Sequence, residues 1–198
     1  MEKVHLVSLG CPKNLADSEL ILGALVGAGF EVTLDPEEAQ VLVVNTCAFI
    51  EAAKKESLDA IVEAAEIKGR GHRRRLVVAG CLAQRYGAEL ASSMPEVDIL
   101  IGTGNFLDLP EMLRRSERPE ERPIPYVGAA HLLPTSSMPR VRTGAPFTSY
   151  LKVSEGCDHT CAFCIIPKIR GRHQSRSSFE IPGYGKEIGS RKAQRLRG

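Results

Sequence analysis

The chain has 198 residues, of which 43% are hydrophobic and 25% are charged, and its formal net charge is +2. This length and hydrophobic content allow a buried core, which excludes an intrinsically disordered chain. The N-terminal residues MEKVHLVSLG lack the features of a secretory signal, and no apolar run approaches the roughly 18 residues of a membrane span. We therefore expect a globular, cytoplasmic protein with no membrane partner.

Short β-branched runs alternate with longer helical patterns over residues 1–117. The apolar runs predict strands at Val4–Val7, Phe30–Leu34, Val41–Val44, Leu76–Ala79 and Val97–Ile101. Amphipathic stretches, several of which close on glycine or proline, predict helices at Leu15–Ala28, Glu51–Lys68, Leu82–Ser93 and Asn105–Arg115. This alternation is typical of a parallel sheet with helical crossovers, so we expect an N-terminal α/β domain over 1–117.

The periodic pattern ends at Ser116, and six of the chain's twelve prolines lie between there and Pro146. Proline fixes φ and removes a backbone donor, which predicts an extended, Pro-rich linker over 118–147. A new apolar run, Tyr150–Val153, predicts the first strand of a second domain over 148–198. After Arg172 neither helical nor strand periodicity is evident, so we predict no further regular element.

Charge is distributed unevenly along the chain. Residues 168–198 hold nine Lys or Arg but only Glu180 and Glu187, whereas the preceding residues carry a net charge of −5. A solvated or disordered tail is the simpler interpretation, and contact with the phosphates of RNA or of a ribonucleoprotein is the alternative. The run His72–Arg75 is most simply a solvated loop, with a contact to RNA as the alternative.

Three cysteines, Cys157, Cys161 and Cys164, form the spacing Cys-x3-Cys-x2-Cys. In a reducing compartment such cysteines are more often metal ligands or catalytic thiols than disulfides. Three soft thiolates on one short loop suit a cubane iron–sulfur cluster that keeps one iron open. A zinc site completed by His159, or unligated thiols, are the alternatives, but structural zinc prefers four closed ligands.

The other cysteines each follow a predicted strand: Cys11, Cys47 and Cys81. Because the carboxyl ends of parallel strands meet at one edge of a sheet, we expect these three thiols to converge on a single site, a second cluster. The alternative is three separate, small buried side chains. Near Cys11, Asn14 and Asp17 are interpreted as helix-starting residues that satisfy backbone amides, with hydrogen bonds to cluster sulfurs as the alternative.

Four strings carry a resemblance to a known family: SLGCPKNLADSE, VVNTCAFIEAAKKES, VAGCLAQRY and YLKVSEGCDHTCAFCIIPKIRGRHQSR. Together they resemble the methylthiotransferases of the radical S-adenosylmethionine superfamily, over residues 1 to about 176. The match is closest to the ribosomal-protein branch, the RimO type. The tRNA enzymes of the MiaB type usually have Gln-Met-Asn where this chain has Pro12, Lys13 and Asn14.

The resemblance implies two 4Fe–4S clusters, one on Cys11, Cys47 and Cys81 and one on Cys157, Cys161 and Cys164. The second would bind S-adenosylmethionine and release a 5′-deoxyadenosyl radical, with Phe163 against the adenine; core packing of Phe163 is the alternative. The first would carry the sulfur that is methylated and transferred. The implied substrate is an aspartate β-carbon of small-subunit ribosomal protein twelve, and the implied electron donor is flavodoxin-like or ferredoxin-like.

Family members continue for about one further domain beyond the cluster loop, whereas this sequence changes character near Ser175. The resemblance therefore implies an incomplete radical S-adenosylmethionine (β/α) barrel, a truncated product or frame-shifted reading, and little catalytic activity. Two other functions stay open from the sequence: a tRNA methylthiotransferase of the MiaB type, and a non-catalytic iron–sulfur module.

Overall fold

The computed structural model describes residues 1–70, 73–115, 124–130, 133–135, 137–145 and 147–190. The strands are β1 Lys3–Ser8, β2 Glu31–Val32, β3 Val41–Thr46, β4 Arg75–Gly80, β5 Ile99–Ile101, β6 Ile124–Tyr126, β7 Ser154–Glu155 and β8 Gln174–Ser175. The helices are α1 Pro12–Gly27, α2 Glu51–Gly69, α3 Cys81–Ser93, α4 Leu109–Arg115, α5 Ile166–Arg170 and α6 Glu180–Ser190.

The first six strands form one parallel sheet in the order β2-β1-β3-β4-β5-β6. Its central strands β3 and β4 are buried along their whole length. Val41 and Val43 pack into the core that contains α1 and α4, whereas Leu42 and Val44 pack into the core that contains α2 and α3. The alternation of side chains along a strand thus covers both faces with helices, and the predicted α/β fold is confirmed.

The Pro-rich segment contributes more structure than the sequence indicated. Residues 124–126 form β6, which pairs in parallel with β5 at the edge of the sheet. Pro125 is compatible with this position because an edge strand tolerates a missing backbone donor. Further along, Val141 N donates to the carbonyl of Glu19 at 2.9 Å, and a Cβ on Gly23 would lie 2.4 Å from Pro139. The segment therefore packs closely on α1.

Two expectations for residues 148–198 are wrong. Tyr150–Val153 is not a strand; the strand here is β7, which pairs with β8 in an antiparallel two-stranded ladder. Regular structure also continues after Arg172, as β8 and α6. Pro182 lies in the first turn of α6, where proline is tolerated, but Gly183 and Gly185 lower the helical propensity that sequence patterns detect. Residues 191–198 of the predicted basic tail, and His72, lie outside the described residues.

The helices of the described part of the chain are all too short or too polar to span a bilayer.

Candidate functional site

The three strands that precede Cys11, Cys47 and Cys81 are neighbours in the sheet and are in register at their carboxyl ends. Ser8 of β1 pairs with Asn45 of β3, which pairs in turn with Ala79 of β4. Cys47 and Cys81 directly follow the next pair in the register, Thr46 and Gly80. The structure therefore places the three cysteines at one edge of the sheet, where their ligand role stays a prediction.

A glycine with positive φ precedes two of these cysteines. Gly10 has φ +87°, and a Cβ there would lie 2.7 Å from Cys47 Cβ and 3.0 Å from its sulfur. Gly80 has φ +91°, and a Cβ there would lie 2.3 Å from Asn45 Oδ1. Both turns thus press against the end of β3, and a side chain in either would force that strand end away.

Cys11 and Cys81 also lie at helix starts. Cys11 is the residue immediately before α1, and Pro12 opens that helix. Cys81 is the first residue of α3. Pro12 suits this position because the first helical amides have no partner within the helix. The edge that carries the cysteines is therefore also the edge to which two helices direct their amino ends.

A hydroxyl group holds the backbone of Cys47, the cysteine between the other two. Ser57 Oγ accepts a hydrogen bond from Cys47 N and donates one to Cys47 O, both at 2.9 Å. Ser57 is fully buried in α2. One side chain thus satisfies both polar backbone groups of Cys47, which fixes the loop after β3.

Asn14 and Asp17 do not cap α1, so the interpretation of these residues as helix starters is wrong. Cys11 occupies the N-cap position, and both residues lie inside the helix and are buried. Asn14 Nδ2 instead donates to Leu9 O at 2.7 Å and to the carbonyls at the end of β3 at 3.2 Å. Asn14 therefore ties the Cys11 turn to the strand that leads into Cys47.

Asp17 lies at the centre of a buried ion-pair network. Its carboxylate accepts from Lys152 Nζ at 2.6 Å and from Arg170 Nη1 at 2.5 Å. Lys152 and Arg170 lie 135 and 153 residues after Asp17 in the sequence. All three side chains are at most 4% exposed. Two cations from residues 150–170 thus compensate the charge of one buried carboxylate on α1, as burial of a charge requires.

Glu155 of β7 joins the same network. It forms ion pairs with Lys152, with Arg170 at 3.4 Å and with Lys13 at 3.2 Å. Burial alone raises the pKa of Glu155, but the positive charges of Lys152 and Arg170 outweigh it and hold that pKa below its ordinary value. Glu155 is therefore ionised at neutral pH.

Arg170 connects this network to the cysteine edge. Its Nη2 lies 3.2 Å from Asn14 Oδ1 and 3.2 Å from the sulfur of Cys81. Burial raises the pKa of Cys81 to about 11, and the guanidinium charge of Arg170 opposes that rise. Burial alone lowers the pKa of Arg170, but the negative charges of Asp17 and Glu155 outweigh it and hold that pKa above its ordinary value.

The second group of cysteines lies on the loop between β7 and α5. Cys157 N donates to Gly171 O and Cys164 N donates to Cys161 O, both at 3.1 Å. Cys161 is exposed, and Cys157 and Cys164 are partly exposed. These bonds close the loop at its base and at the turn, and leave its thiols accessible from solvent.

Phe163 lies in the turn between Cys161 and Cys164 and is 92% exposed. The alternative interpretation, in which this ring packs under the loop as part of the core, is therefore wrong. A role for Phe163 against an adenine ring stays a prediction.

The sequence does not reveal the buried partners of Asp17, although all three lie within the quoted strings. Lys152 and Glu155 stand in KVSEG and Arg170 stands in KIRGR. Charged residues in short segments are usually solvent-exposed, and no local sequence pattern indicates that these three contact or surround Asp17. An ion pair between residues this far apart in the chain leaves no periodic signal.

These features define the class: a parallel α/β domain with cysteines at the carboxyl edge of three adjacent strands, followed by a cysteine-rich loop docked by buried ion pairs. Residues 3–102 match the model of the uncharacterized protein family UPF0004. The chain belongs to this family.

Several curated relatives of the chain are named ribosomal protein uS12 methylthiotransferase RimO. The protein of Trichlorobacter lovleyi is 47% identical over 175 residues, which cover 88% of this chain and 39% of the relative. That of Pelotomaculum thermopropionicum is 46% identical over 194 residues, covering 98% of this chain and 43% of the relative. The Geobacter sulfurreducens protein is 46% identical over 176 residues. The chain spans about two fifths of the length of these relatives.

Proposed function

We propose that this chain supplies both cysteine triads of a methylthiotransferase that modifies a small-subunit ribosomal protein. The observation that carries the proposal is the register of β1, β3 and β4, which delivers Cys11, Cys47 and Cys81 to one edge of the sheet. The similarity to relatives named ribosomal protein uS12 methylthiotransferase supports the reaction and the substrate class. The finer assignment is transfer of a methylthio group to an aspartate β-carbon of ribosomal protein twelve.

The donor set at each triad fits a cubane iron–sulfur cluster. Both triads consist of thiols, the soft ligands that iron–sulfur clusters select. Within the described ranges no group of three or more His, Cys, Asp or Glu side chains is arranged to hold a metal ion. A cubane has a different requirement, because each thiolate binds a separate iron at its own corner and the sulfurs stay apart.

Each triad has a separate task in this proposal. Cys157, Cys161 and Cys164 hold one 4Fe–4S cluster, to which S-adenosylmethionine binds, with Phe163 beside the adenine. Cys11, Cys47 and Cys81 hold the other. When bound, these groups supply one-electron chemistry and an open iron, while the protein supplies binding, orientation and exclusion of side reactions. A flavodoxin-like or ferredoxin-like donor provides the electron, and exposed basic residues of the C-terminal segment, such as Arg172, contact ribosomal RNA.

Cluster content is tested by anaerobic reconstitution of the 198-residue chain with iron and sulfide. We expect about eight irons per chain, the content of two cubanes, and about four in each triple variant in which one triad is replaced by alanine. Ser92→Ala, at an exposed position of α3, is the control and should retain the full content. Binding of zinc in place of iron, or loss of all iron in either triple variant, contradicts the proposal.

The substrate is tested by incubation of the chain with reductant, S-adenosylmethionine and either ribosomal protein twelve or tRNA. Mass spectrometry then compares the methylthio group on the ribosomal protein with the background of Cys161→Ala, and we expect a weak signal because the family resemblance implies little activity for this chain. A methylthio group on tRNA alone would reassign the substrate. Retention of both clusters without cleavage of S-adenosylmethionine would instead indicate a non-catalytic iron–sulfur module.

A further inference from the structure

Arg170 contacts residues of both cysteine segments. Neither the sequence motifs nor the names of the relatives assign a role to this arginine. Its side chain is 4% exposed, and it ends α5 on the segment that follows the Cys157–Cys164 loop. Its Nη1 faces the carboxylates of Asp17 and Glu155. Its Nη2 faces Cys81, on the other triad. One guanidinium therefore links the second cysteine segment to the first cysteine edge.

We propose that Arg170 is a positioning residue that holds a fixed positive charge against the Cys81 sulfur and raises the reduction potential of the cluster on Cys11, Cys47 and Cys81. This inference rests on the proposed function, since it assumes that a cluster forms there. The inference concerns the reduction potential of the cluster at this edge, and not which residues are its ligands.

The separate partners of the two terminal nitrogens of Arg170 support the inference. The ion pairs around Asp17 and Glu155 involve three cations, Lys13, Lys152 and Arg170. Lys13 is half exposed and solvated, so the two buried cations, Lys152 and Arg170, are balanced by the two buried carboxylates. The Nη1 of Arg170 makes the ion pairs with the carboxylates, whereas its Nη2 lies 3.2 Å from the Cys81 sulfur, so the guanidinium charge also faces a ligand atom of the first triad.

The geometry keeps this charge in place. A guanidinium stays protonated in proteins and presents its donors in a planar fork. The fork of Arg170 is fixed on one side by Asp17 Oδ2 at 2.5 Å and on the other by Asn14 Oδ1 at 3.2 Å. Asn14 itself is fixed by the carbonyls at the end of β3. The donor to Cys81 is thus held by groups that belong to the cysteine edge.

A fixed positive charge at a ligand sulfur favours the reduced cluster, which carries one more negative charge than the oxidised form. Hydrogen bonds to the sulfurs and net charge are established determinants of cluster potential. The effect is enhanced here because the side chains involved are buried, and charges interact more strongly in a low dielectric. Loss of the Arg170 charge should therefore make the cluster harder to reduce.

The test uses the 198-residue chain with Cys157, Cys161 and Cys164 replaced by alanine, so that one cluster remains. Its midpoint potential is measured by redox titration monitored by electron paramagnetic resonance, with iron content as the loading control. In this background, Arg170→Met should lower the equilibrium constant for one-electron reduction at least tenfold, a shift of about 59 mV to more negative potential. Arg170→Lys, which retains a charge, should recover part of the shift.

Two further variants separate this effect from a loss of folding and from a change of net charge. Arg170→Met combined with Asp17→Asn removes one cation and one anion, so the summed charge of the network is unchanged and no carboxylate is left unpaired at Asp17. It should still shift the potential in the same direction. Arg172→Met removes an exposed arginine, and should leave the potential unchanged.

The outcomes distinguish the two proposals. Failure of the background chain to assemble a cluster overturns both the proposed function at this edge and the inference about Arg170. A cluster that assembles normally, with the same potential in Arg170→Met and in the parent, overturns the inference alone. An equal shift in Arg172→Met also overturns it, because the effect would then not depend on contact with Cys81.

Discussion

Lys152 Nζ lies 2.6 Å from Asp17 Oδ1, although 135 residues separate the two in the sequence. Both side chains are almost fully buried. This ion pair joins the segment before the Cys157–Cys164 loop to α1, the helix that follows Cys11. The position of one cysteine group relative to the other is therefore coupled to the stability of a buried charge pair.

Asp17→Ala should destabilise the chain strongly. It leaves Lys152 and Arg170 buried with one fewer counter-charge, and removal of one partner from a buried pair costs about 3–5 kcal/mol. Urea unfolding followed by circular dichroism measures the loss. Asp158→Ala, which removes an exposed partner of Arg172, should leave the urea midpoint almost unchanged. Equal midpoints for both variants would mean that the Asp17 network does not stabilise the fold.

Gly80→Ala should perturb the Cys81 turn through both backbone strain and a direct clash. The φ of +91° is one that side-chain-bearing residues rarely adopt, at a cost of about 1–3 kcal/mol, and the added Cβ would lie 2.3 Å from Asn45 Oδ1. Gly29→Ala is the matched control, because Gly29 has φ +98° but no atom within 4 Å of the added Cβ. Chemical denaturation should therefore show a larger loss for Gly80→Ala. Similar losses would assign the whole effect to backbone strain.

Ser57→Ala should loosen Cys47. The substitution leaves the buried amide and carbonyl of Cys47 without their partner, at a cost of about 1–3 kcal/mol in unfolding free energy. We also expect a lower iron content after reconstitution, measured by colorimetric assay. Ser92→Ala removes a hydroxyl that bonds to carbonyls on the exposed side of α3, and should alter neither quantity. A normal iron content in Ser57→Ala would show that the two hydrogen bonds between Ser57 and the Cys47 backbone are not needed to place the Cys47 ligand.

Glu155 should make stability decrease at acidic pH. Its pKa is lowered in the folded state, so its contribution is complete above the pKa of the unfolded chain and is lost as pH falls through the lower, folded-state value. Thermal unfolding between pH 7 and pH 3 (about one unit below the ordinary value of a glutamate) should show this loss. Glu155→Gln should reduce the slope in that range, whereas Glu89→Gln, at an exposed position, should not. An unchanged slope in Glu155→Gln would exclude this carboxylate as the source.

The sequence predicted the central part of the fold because its signals are local. The apolar runs of β1, β3 and β4 are bounded by turn residues, and the position of a cysteine just beyond a strand suffices to predict the edge on which it lies. The apolar pattern predicts a start of α1 at Leu15, which is too late, because Pro12 and Lys13 carry no apolar periodicity. The structure begins this helix at Pro12.

The features that the sequence did not predict depend on contacts between segments that are distant in the chain. β6 contains Pro125, which argues against a strand except at an edge, and edge placement becomes visible only once β5 is in position. The docking of Arg170 on Asp17 and Cys81 involves charged residues that resemble surface residues in sequence. The exposure of Phe163 likewise follows from how the loop packs and not from the residue type.

The helix starts at Cys11 and Cys81 add a contribution that side-chain substitution cannot remove. Aligned peptide dipoles give the amino end of a helix a partial positive charge, equivalent to about half an elementary charge. Because α1 begins just after Cys11, its dipole directs this charge toward the cysteine edge; α3 begins at Cys81 but is interrupted at Tyr86, so its contribution there is smaller. The backbone therefore contributes a positive electrostatic potential at the cysteines that every side-chain variant retains. The Arg170 guanidinium adds a second positive contribution, which substitution can remove.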